Sequence, residues 1–308
     1  MKAFLFPGQG SQYVGMGLDA YRERGTVRDI FDRANDVLGY KLTDIMFEGP
    51  EEELRATENA QPALFLHAYA IYQLLENPQP SMAAGHSLGE YTALAVAGSL
   101  AFDDALRLVR MRAEAMAAAG AAQKGTMGAI IGLEDDTVQE LCAGIAEGGH
   151  VVVPANFNSD GQIVVSGTPE GVAAAMTAAK EAGARMAKEL SVSGAFHSPL
   201  MKPAEDQLAA ALNEAPIQNA EFPVYMNVTA QPVSDADTIR ELLLRQLTAP
   251  VQWTATIRNM IAGGATEFVE AGPGNVLQKL VSRISRDVSS TGLEKLEQIH
   301  TFNHPEEA

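Results

Sequence analysis

The residue in this sequence best placed to act as a nucleophile is Ser87, which lies in the stretch Gly85–Gly89, Gly-His-Ser-Leu-Gly. This Gly-x-Ser-x-Gly pattern is typical of a nucleophile elbow, a sharp turn between a strand and a helix that exposes the serine hydroxyl. Side chains at the two glycine positions would clash with neighbouring backbone. The backbone N–H of Leu88, at the start of the helix, is the natural donor to a carbonyl oxygen that develops negative charge.

A serine hydroxyl needs a base, and the sequence offers six histidines. His197 is the best candidate, because Ser198 and Pro199 after it predict a helix N-cap and a first-turn proline. The positive end of that helix would disfavour an imidazolium and keep His197 neutral, as a base requires. His67 is expected in the core of an apolar helix, and His86 is expected to point away from the serine. On position alone, a capping role for His197 stays open.

Arg112 gives a separate chemical clue. Apolar residues recur at spacings of three and four along one face of a predicted helix, and Arg112 falls on this stripe between Val109 and Met116. A buried guanidinium needs an anionic partner. Either an internal Asp or Glu pairs with it, or it clamps the carboxylate of a substrate. Both interpretations stay open at this point.

The loop Phe6–Gln12 near the start of the chain is also rich in glycine. It lacks the Lys-Ser/Thr pair of a P-loop and the glycine spacing of a dinucleotide-binding turn. We therefore expect this loop to place one backbone N–H beside the serine instead of binding phosphate.

The elements that must position these residues alternate between strands and helices, as in α/β proteins. Short apolar runs bounded by turn residues predict strands, and helical periodicity predicts helices. The predicted strands are Phe4–Pro7, Ser81–Gly85, Pro223–Asn227, Thr266–Glu270 and Gln298–Asn303. The predicted helices are Gln61–Glu76, Leu88–Gly98 and Phe102–Ala119.

The middle of the chain has a different order, βαββαβ, which is typical of ferredoxin-like modules. We predict a large domain of residues 1–124 and 193–308 that carries a small inserted domain of residues 125–192. The cleft between the two domains is expected to hold the chemistry. The predicted strands of the insert are Met127–Gly132, Val151–Phe157, Gln162–Gly167 and Arg185–Leu190, and its predicted helices are Asp135–Glu147 and Pro169–Ala182.

Composition and charge argue against several classes of protein. With 308 residues, 46% hydrophobic and 20% charged, the chain can bury a large core. A net charge of −17 argues against nucleic acid or an anionic membrane as the main partner. No apolar run is long enough to cross a bilayer, and the N-terminal residues do not resemble a signal peptide. Cys142 is the single cysteine, which excludes a disulfide framework and favours a cytoplasmic setting.

Beyond the serine turn, the chain carries a series of short motifs in a definite order. They are FPGQGSQ (Phe6–Gln12), NAQPAL (Asn59–Leu64), GHSLGE (Gly85–Glu90), MRAEAM (Met111–Met116), NFNSDGQIVVSG (Asn156–Gly167), AFHSPLM (Ala195–Met201), PVQW (Pro250–Trp253) and EAGPGNVL (Glu270–Leu277). Together they resemble the malonyl-CoA:acyl carrier protein transacylases, including the stand-alone acyltransferases that serve polyketide synthases in trans. The resemblance covers nearly the whole chain, and the order and spacing of the motifs make it specific.

This resemblance implies a large α/β-hydrolase-like domain with a parallel sheet and a ferredoxin-like insert. It implies that malonyl-CoA acylates Ser87, with His197 as general base and then general acid, before the phosphopantetheine thiol of an acyl carrier protein attacks. Gln252, or its backbone carbonyl, would orient the imidazole in place of a triad carboxylate. The other implied roles are an oxyanion hole from the N–H groups of Gln9 and Leu88, a grip on the malonyl carboxylate by Arg112, an acyl pocket shaped by Met116 and Phe196, and a cleft lined by Gln61 and Asn158. No metal or tightly bound cofactor is implied.

The residue before the histidine bears on the acyl group. Phe196 resembles the malonyl-selective members, whereas a smaller residue often accompanies methylmalonyl, so we expect malonyl. Fatty-acid and polyketide synthesis use near-identical sites, and the pathway therefore stays open.

Three alternative functions compete with the transferase. A hydrolase of the same fold would use water as the acyl acceptor, but proofreading relatives of that kind tend to lack the arginine found here at Arg112. A lipase shares the serine turn but places its histidine late in the chain, where only His300 and His304 lie, and the βαββαβ insert has no place in it. The presence of Ser87 and His197 together with the arginine argues against a non-catalytic module that docks carrier proteins.

The negative net charge creates a difficulty for binding an acidic carrier protein. Docking then requires a local basic patch that works against the overall field. We expect Lys279, Arg283 and Arg286, on the rim of the cleft, to form one such group.

Overall fold

The structure, a computed structural model, describes residues 1–307, and Ala308, the last residue of the predicted large domain, lies outside them. Strands and helices alternate along most of the chain, as predicted. The strands are β1 (Lys2–Phe6), β2 (Met82–Gly85), β3 (Thr126–Ile131), β4 (Val152–Ser159), β5 (Gln162–Gly167), β6 (Met186–Glu189), β7 (Val224–Tyr225), β8 (Pro232–Val233), β9 (Glu267–Ala271) and β10 (Ser289–Leu293). Within residues 1–307, no helix combines the length and the apolar composition that crossing a membrane requires.

Helices cover the sheets and connect their strands. The helices are α1 (Leu18–Glu23), α2 (Gly25–Leu38), α3 (Leu42–Glu48), α4 (Glu51–Arg55), α5 (Thr57–Gln73), α6 (Gly89–Val96), α7 (Phe102–Ala122), α8 (Asp135–Glu147), α9 (Pro169–Glu181), α10 (Lys202–Glu214), α11 (Ala236–Arg245), α12 (Trp253–Ala262), α13 (Val276–Ile284) and α14 (Leu296–Asn303). Short 3₁₀ turns lie at Pro199–Met201 and Pro305–Glu307.

The larger sheet has the strand order β10-β9-β1-β2-β7-β8. Its strands are parallel from β10 to β7, and β8 pairs antiparallel with β7. Strand β1 is buried on both faces: Phe4 and Phe6 belong to the main core, and Ala3 and Leu5 belong to a second core on the opposite side. A strand that is covered on both faces has a continuous apolar sequence, which explains the run at the start of the chain.

The register of the sheet determines where a site can form. Phe6, the last residue of β1, pairs with Gly85, the last residue of β2, and the N–H of His86 donates to Phe6 O at 3.0 Å. The glycine-rich loop and the serine turn therefore leave the sheet side by side. Ligands of open α/β sheets bind at this carboxyl edge of the strands.

The smaller sheet has the order β4-β5-β3-β6, and all of its pairs are antiparallel. Its core contains residues of α8 and α9, so both helices pack on it. The elements follow the predicted βαββαβ order, and the bounds of α8 and β5 coincide with the predicted ones. The division of the chain after residues 124 and 192 stays a prediction.

Strand β4 joins the smaller sheet to the rest of the molecule. The N–H of Val251 donates to Ala155 O at 2.8 Å, and the N–H of Phe157 donates to Val251 O at 3.0 Å. Thr254 Oγ1 donates to the same Phe157 carbonyl, also at 3.0 Å. The chain just before α12 is thus hydrogen-bonded to β4 as in a short stretch of sheet.

The predicted strand at Gln298–Asn303 is wrong, because this segment belongs to α14. Leu296, Ile299 and Phe302 are spaced by three residues, and all three contribute to the main core. That spacing places them on one helix face and not on one strand face. The last strand of the sheet is instead β10, whose sequence SSTGL carries little strand signal.

Candidate active site

Ser87 lies in the sharp turn between β2 and α6, as the sequence predicts. Its backbone is in the left-handed region, with φ of 51°, a conformation that costs of order 1–3 kcal/mol for a residue with a side chain. A Cβ on Gly85 would lie 1.8 Å from the carbonyl carbon of Gly89, and a Cβ on Gly89 would lie 2.0 Å from Phe6 O. Glycine is therefore required at both positions that flank the serine turn.

Two polar side chains that the sequence analysis did not single out hold the strained serine. The N–H of Ser87 donates to Asn227 Oδ1 at 2.7 Å, and Gln246 Nε2 donates to Ser87 O at 3.0 Å. Asn227 also donates through Nδ2 to Gly85 O at 2.7 Å. Asn227 lies just beyond the end of β7, the strand next to β2. A polar residue directly after a predicted strand is expected at the carboxyl edge of the sheet, and this position could have identified Asn227 as a site residue. For Gln246, which follows α11, we find no such local signal.

His197 lies within hydrogen-bond distance of the nucleophile, with 2.8 Å between its Nε2 and Ser87 Oγ. The side chain of Ser198 accepts from the N–H of Leu200, which is the predicted cap, although the turn it caps is 3₁₀ and α10 begins only at Lys202. Burial, and then the nearby charge of Arg112, lower the pKa of His197 to about 3. The imidazole is therefore neutral at neutral pH, and burial more than a helix end keeps it so.

The partners of His197 Nδ1 contradict the prediction that Gln252 orients the imidazole. His197 Nδ1 lies 2.9 Å from Gln246 O and 3.2 Å from Ala249 O. Because both partners are carbonyls, Nδ1 carries the proton and Nε2 is free to accept one. The N–H of Gln252 instead donates to Asn227 O at 2.9 Å, at the position before α12. The chain between α11 and α12 thus turns the carbonyls of residues 246 and 249 toward the imidazole, and not that of residue 252.

Arg112 is buried in α7 with its guanidinium directed at the serine. Its Nη2 donates to Ser87 Oγ at 3.0 Å and to Gln246 Oε1 at 2.9 Å, and its Nη1 donates to Gln61 Oε1 at 2.6 Å. None of the ion pairs found among residues 1–307 involves this arginine. Its nearest acceptors are neutral, so the structure does not support the interpretation of a direct internal ion pair.

A cleft of about 880 Å³ opens above Ser87 between the two sheets. All the predicted site residues except Gln252 line it, namely Gln9, Gln61, Ser87, Leu88, Arg112, Met116, Asn158, Phe196 and His197. Among residues 1–307, no group of three or more His, Cys, Asp or Glu side chains has the arrangement of a metal site.

The remaining predicted residues have clear positions on the walls of this cleft. The side chain of Gln9 donates to Thr57 Oγ1 at 3.1 Å, which ties the glycine-rich loop to the start of α5. Leu88 directly precedes the first residue of α6, where backbone N–H groups have no acceptor within the helix. Asn158, on β4, bonds His86 Nε2 at 2.9 Å, so His86 points away from the serine as predicted. His67 is buried in the core, also as predicted.

Comparison with known proteins places this chain in a family. The acyl transferase domain family matches residues 3–298. The malonyl CoA-acyl carrier protein transacylase of Bacillus subtilis is 44% identical over 299 residues, which is 96% of this chain and 94% of the relative. The chain therefore belongs to the acyl transferase domain family and is an acyltransferase.

Solved structures that resemble this chain include malonyl transacylases of the same family. A malonyl-transacylase in complex with its type II polyketide acyl carrier protein is 41% identical and has a TM-score of 0.94, with 99% of each chain covered. The malonyl CoA-acyl carrier protein transacylase of Coxiella burnetii is also 41% identical with a TM-score of 0.94, covering 97% of this chain and 96% of that one. Relatives and structural neighbours thus share one fold over nearly the full length of this chain.

Proposed function

We propose that this protein transfers malonyl from CoA to the phosphopantetheine thiol of an acyl carrier protein, by way of a malonyl ester on Ser87. The observation that carries the proposal is the buried guanidinium of Arg112, 3.0 Å from the nucleophile and surrounded by neutral acceptors. A fixed cation that no carboxylate contacts directly favours an acyl group that brings its own carboxylate. The names of the relatives supply the same acyl group and the same acceptor.

In the first half of the reaction, Ser87 Oγ attacks the thioester carbonyl while His197 Nε2 takes its proton. The N–H groups of Gln9 and Leu88 stabilise the oxyanion that forms. Collapse of this intermediate breaks the carbon–sulfur bond, and the CoA thiolate leaves with the proton from the imidazolium. In the second half, His197 takes the proton of the carrier-protein thiol and the thiolate attacks the ester carbonyl. Collapse of this second intermediate breaks the bond between the carbonyl carbon and Ser87 Oγ, and the imidazolium returns the proton to Oγ.

The carbonyls at His197 Nδ1 replace the carboxylate of a Ser-His-Asp triad in this mechanism. Gln246 O and Ala249 O both accept from Nδ1–H, which fixes the tautomer and the direction of the ring. Two carbonyl dipoles also stabilise the imidazolium that forms after proton transfer. We therefore assign the orienting role to the backbone at these two positions.

The acyl pocket in this proposal is formed around Arg112. Gln61 holds one end of the guanidinium, and its Nε2 lies 3.5 Å from Met116 Sδ. Phe196, next to the general base, is buried and lines the same cleft. When malonyl is bound, its carboxylate would accept from the guanidinium, and the bulk of Phe196 and Met116 would favour the unbranched malonyl group over methylmalonyl.

A comparison of acyl-CoAs, with and without carrier protein, tests the proposal. Malonyl-CoA should give malonyl-carrier protein. Methylmalonyl-CoA and acetyl-CoA should react at least about 10-fold more slowly, since one acyl substituent that does not fit the pocket costs about 1–3 kcal/mol. Without carrier protein, CoA release should stop after one equivalent per enzyme, because water is a poor acceptor here. Continuous CoA release at an unchanged rate in the absence of carrier protein would instead identify the alternative function, a hydrolase of the same fold.

The docking of the carrier protein is proposed at the exposed basic group Lys279, Arg283 and Arg286. The first two lie on α13, which contributes Val276, Leu277 and Leu280 to the cleft wall. Arg283 also bonds the side chain of Gln162, another cleft residue. This places positive charge at the mouth of the cleft of an acidic protein.

Reversal of all three charges to Glu tests this placement. The rate of transfer to carrier protein at low carrier concentration should fall by about 10-fold or more and should lose much of its dependence on salt. The matched control reverses three exposed arginines around the junction of α1 and α2, Arg22, Arg24 and Arg28, and should retain the wild-type salt dependence. Unchanged transfer and salt dependence in the first variant would show that the carrier protein docks elsewhere.

The proposed setting of the reaction is the cytoplasm. Cys142 is buried with a free thiol, and burial raises its pKa to about 12, so it stays protonated and inert. A protein that depends on no disulfide suits a reducing compartment. The same site chemistry would serve either fatty-acid or polyketide synthesis.

A further inference from the structure

Glu90 is a buried acid that the proposed mechanism leaves without a role. It lies in the first turn of α6, three residues after the nucleophile, and its side chain is fully buried. Its Oε2 accepts from the N–H of Asn227, and its Oε1 accepts from Gln246 Nε2 at 2.9 Å. Each oxygen accepts from a donor, which is the pattern of an ionised carboxylate, and these bonds work against the burial that raises the pKa of Glu90 to about 8.

The two partners of Glu90 are also the two residues that hold Ser87. Asn227 accepts from the serine N–H, and Gln246 donates to the serine carbonyl oxygen. Since Ser87 is held in the left-handed region, its backbone depends on these bonds to stay there. Glu90 is therefore the common anchor of both groups that fix the nucleophile.

The same carboxylate determines which way the amide of Gln246 points. In its ionised form Glu90 can only accept, so it requires the NH₂ end of that amide, and the oxygen end is left facing the guanidinium of Arg112 at 2.9 Å. A reversed amide would place NH₂ against the guanidinium, donor against donor. The buried cation of Arg112 and the buried anion of Glu90 are thus connected through a single oriented amide.

We propose that Glu90 is a positioning residue of this site, which fixes the backbone of Ser87 and the direction of the Arg112 guanidinium through Asn227 and Gln246. This inference rests on the proposed role of Ser87 as the nucleophile. Glu90 itself touches neither the acyl group nor the attacking oxygen, so its effect is transmitted through its two partners.

Replacement of the carboxylate by an amide of the same shape shows why the charge is needed. In Glu90→Gln, one oxygen becomes an NH₂ group that faces either the N–H of Asn227 or the NH₂ of Gln246. The backbone N–H cannot turn, so the conflict falls on Gln246. If the amide of Gln246 reverses, Ser87 O loses its donor and Arg112 loses an acceptor. A displacement of the nucleophile of this kind costs about 10²-fold in rate.

The test measures Ser87 with two reagents in folded Glu90→Gln. Single-turnover malonylation at saturating malonyl-CoA should fall about 10²-fold, since positioning of Ser87 acts on the chemical step. The rate of inactivation by phenylmethylsulfonyl fluoride should fall by a similar factor. This reagent is neutral and has no carboxylate for Arg112 to bind. Wild-type rates with both reagents in the folded variant would overturn the inference.

Two further variants separate positioning from loss of stability. Glu270→Gln neutralises the other buried glutamate, which accepts from the N–H groups of Leu277 and Gln278 at 3.1 and 3.0 Å and does not contact Ser87. It should lower the melting temperature while leaving the sulfonyl fluoride rate within about 3-fold of wild type. If Glu90→Gln does not fold, the sulfonyl fluoride rate of Glu90→Asp tests the role of Glu90 instead. It keeps the charge but cannot reach both donors, so an unchanged sulfonyl fluoride rate would overturn the inference.

The sulfonyl fluoride measurement also keeps this inference distinct from the proposed function. If wild-type protein reacts with the sulfonyl fluoride at Ser87 but not with malonyl-CoA, the proposed acyl group is wrong. The ratio of the sulfonyl fluoride rates of wild type and Glu90→Gln still decides the role of Glu90.

Discussion

Ser87→Ala should abolish the malonyl adduct that we expect on this protein within seconds of mixing with malonyl-CoA. The wild-type hydroxyl has His197 Nε2 at 2.8 Å to take its proton and the Arg112 guanidinium at 3.0 Å beside it. Loss of a nucleophile that works as a unit with its base costs about 10⁶-fold in turnover. Intact-mass measurement should therefore show one malonyl group on the wild type and none on the variant.

Ser193→Ala is a suitable control for this measurement, because Ser193 lines the same cleft but bonds Thr57 and not the imidazole. This control should gain the adduct at close to the wild-type rate. An adduct that survives in Ser87→Ala would place the acyl group on another residue, and the assignment of Ser87 would be wrong.

The serine, the histidine and the arginine could be singled out as candidates because each has a local signature, while the roles of His197 and Arg112 followed from the family resemblance. Ser87 is defined by glycines at its own turn, His197 by the Ser-Pro that follows it, and Arg112 by a helical stripe within a few turns. Each of these signals extends over a stretch of sequence shorter than one element. The structure brings His197 Nε2 and Arg112 Nη2 to 2.8 and 3.0 Å from Ser87 Oγ.

The residues that support them could not be found in this way. Gln246 is 159 positions from Ser87, and Asn227 is 140 positions away, so only the packed sheet brings them to the serine turn. The role given to Gln252 or its backbone carbonyl followed from the resemblance carried by PVQW, but the carbonyls that bond the imidazole belong to residues 246 and 249, and any residue type can provide such a carbonyl. A group that acts through its backbone leaves no trace in residue type.

The fold shows the same division between local and long-range information. The elements of the smaller sheet were predicted to within a few residues because alternation and helical periodicity are strong there. Strand β10 was missed and α14 was mistaken for a strand, since an edge strand of small polar residues and a short terminal helix depend on packing against the sheet.

Arg112→Ala should reverse the preference of the enzyme for a charged acyl group. Without the guanidinium, the malonyl carboxylate would lie in a buried pocket lined by neutral groups, and breaking a buried ion pair costs about 3–5 kcal/mol. We therefore expect kcat/KM for malonyl-CoA to fall by at least about 10²-fold. For acetyl-CoA, which has no carboxylate to pair, kcat/KM should change much less. The measurement is the ratio of the two values in wild type and variant.

Arg107→Ala provides the matched control on the same helix, because Arg107 pairs with Asp103 and Asp104 on the exposed face of α7 and does not line the cleft. Its ratio should equal that of the wild type. Equal losses on both acyl-CoAs in Arg112→Ala would mean that the arginine only supports the structure around Ser87. The ratio separates the two roles because both substrates use the same serine, base and oxyanion donors. Damage to any of those groups lowers kcat/KM for both substrates by the same factor and leaves the ratio unchanged. Only the loss of a contact with the carboxylate changes the ratio.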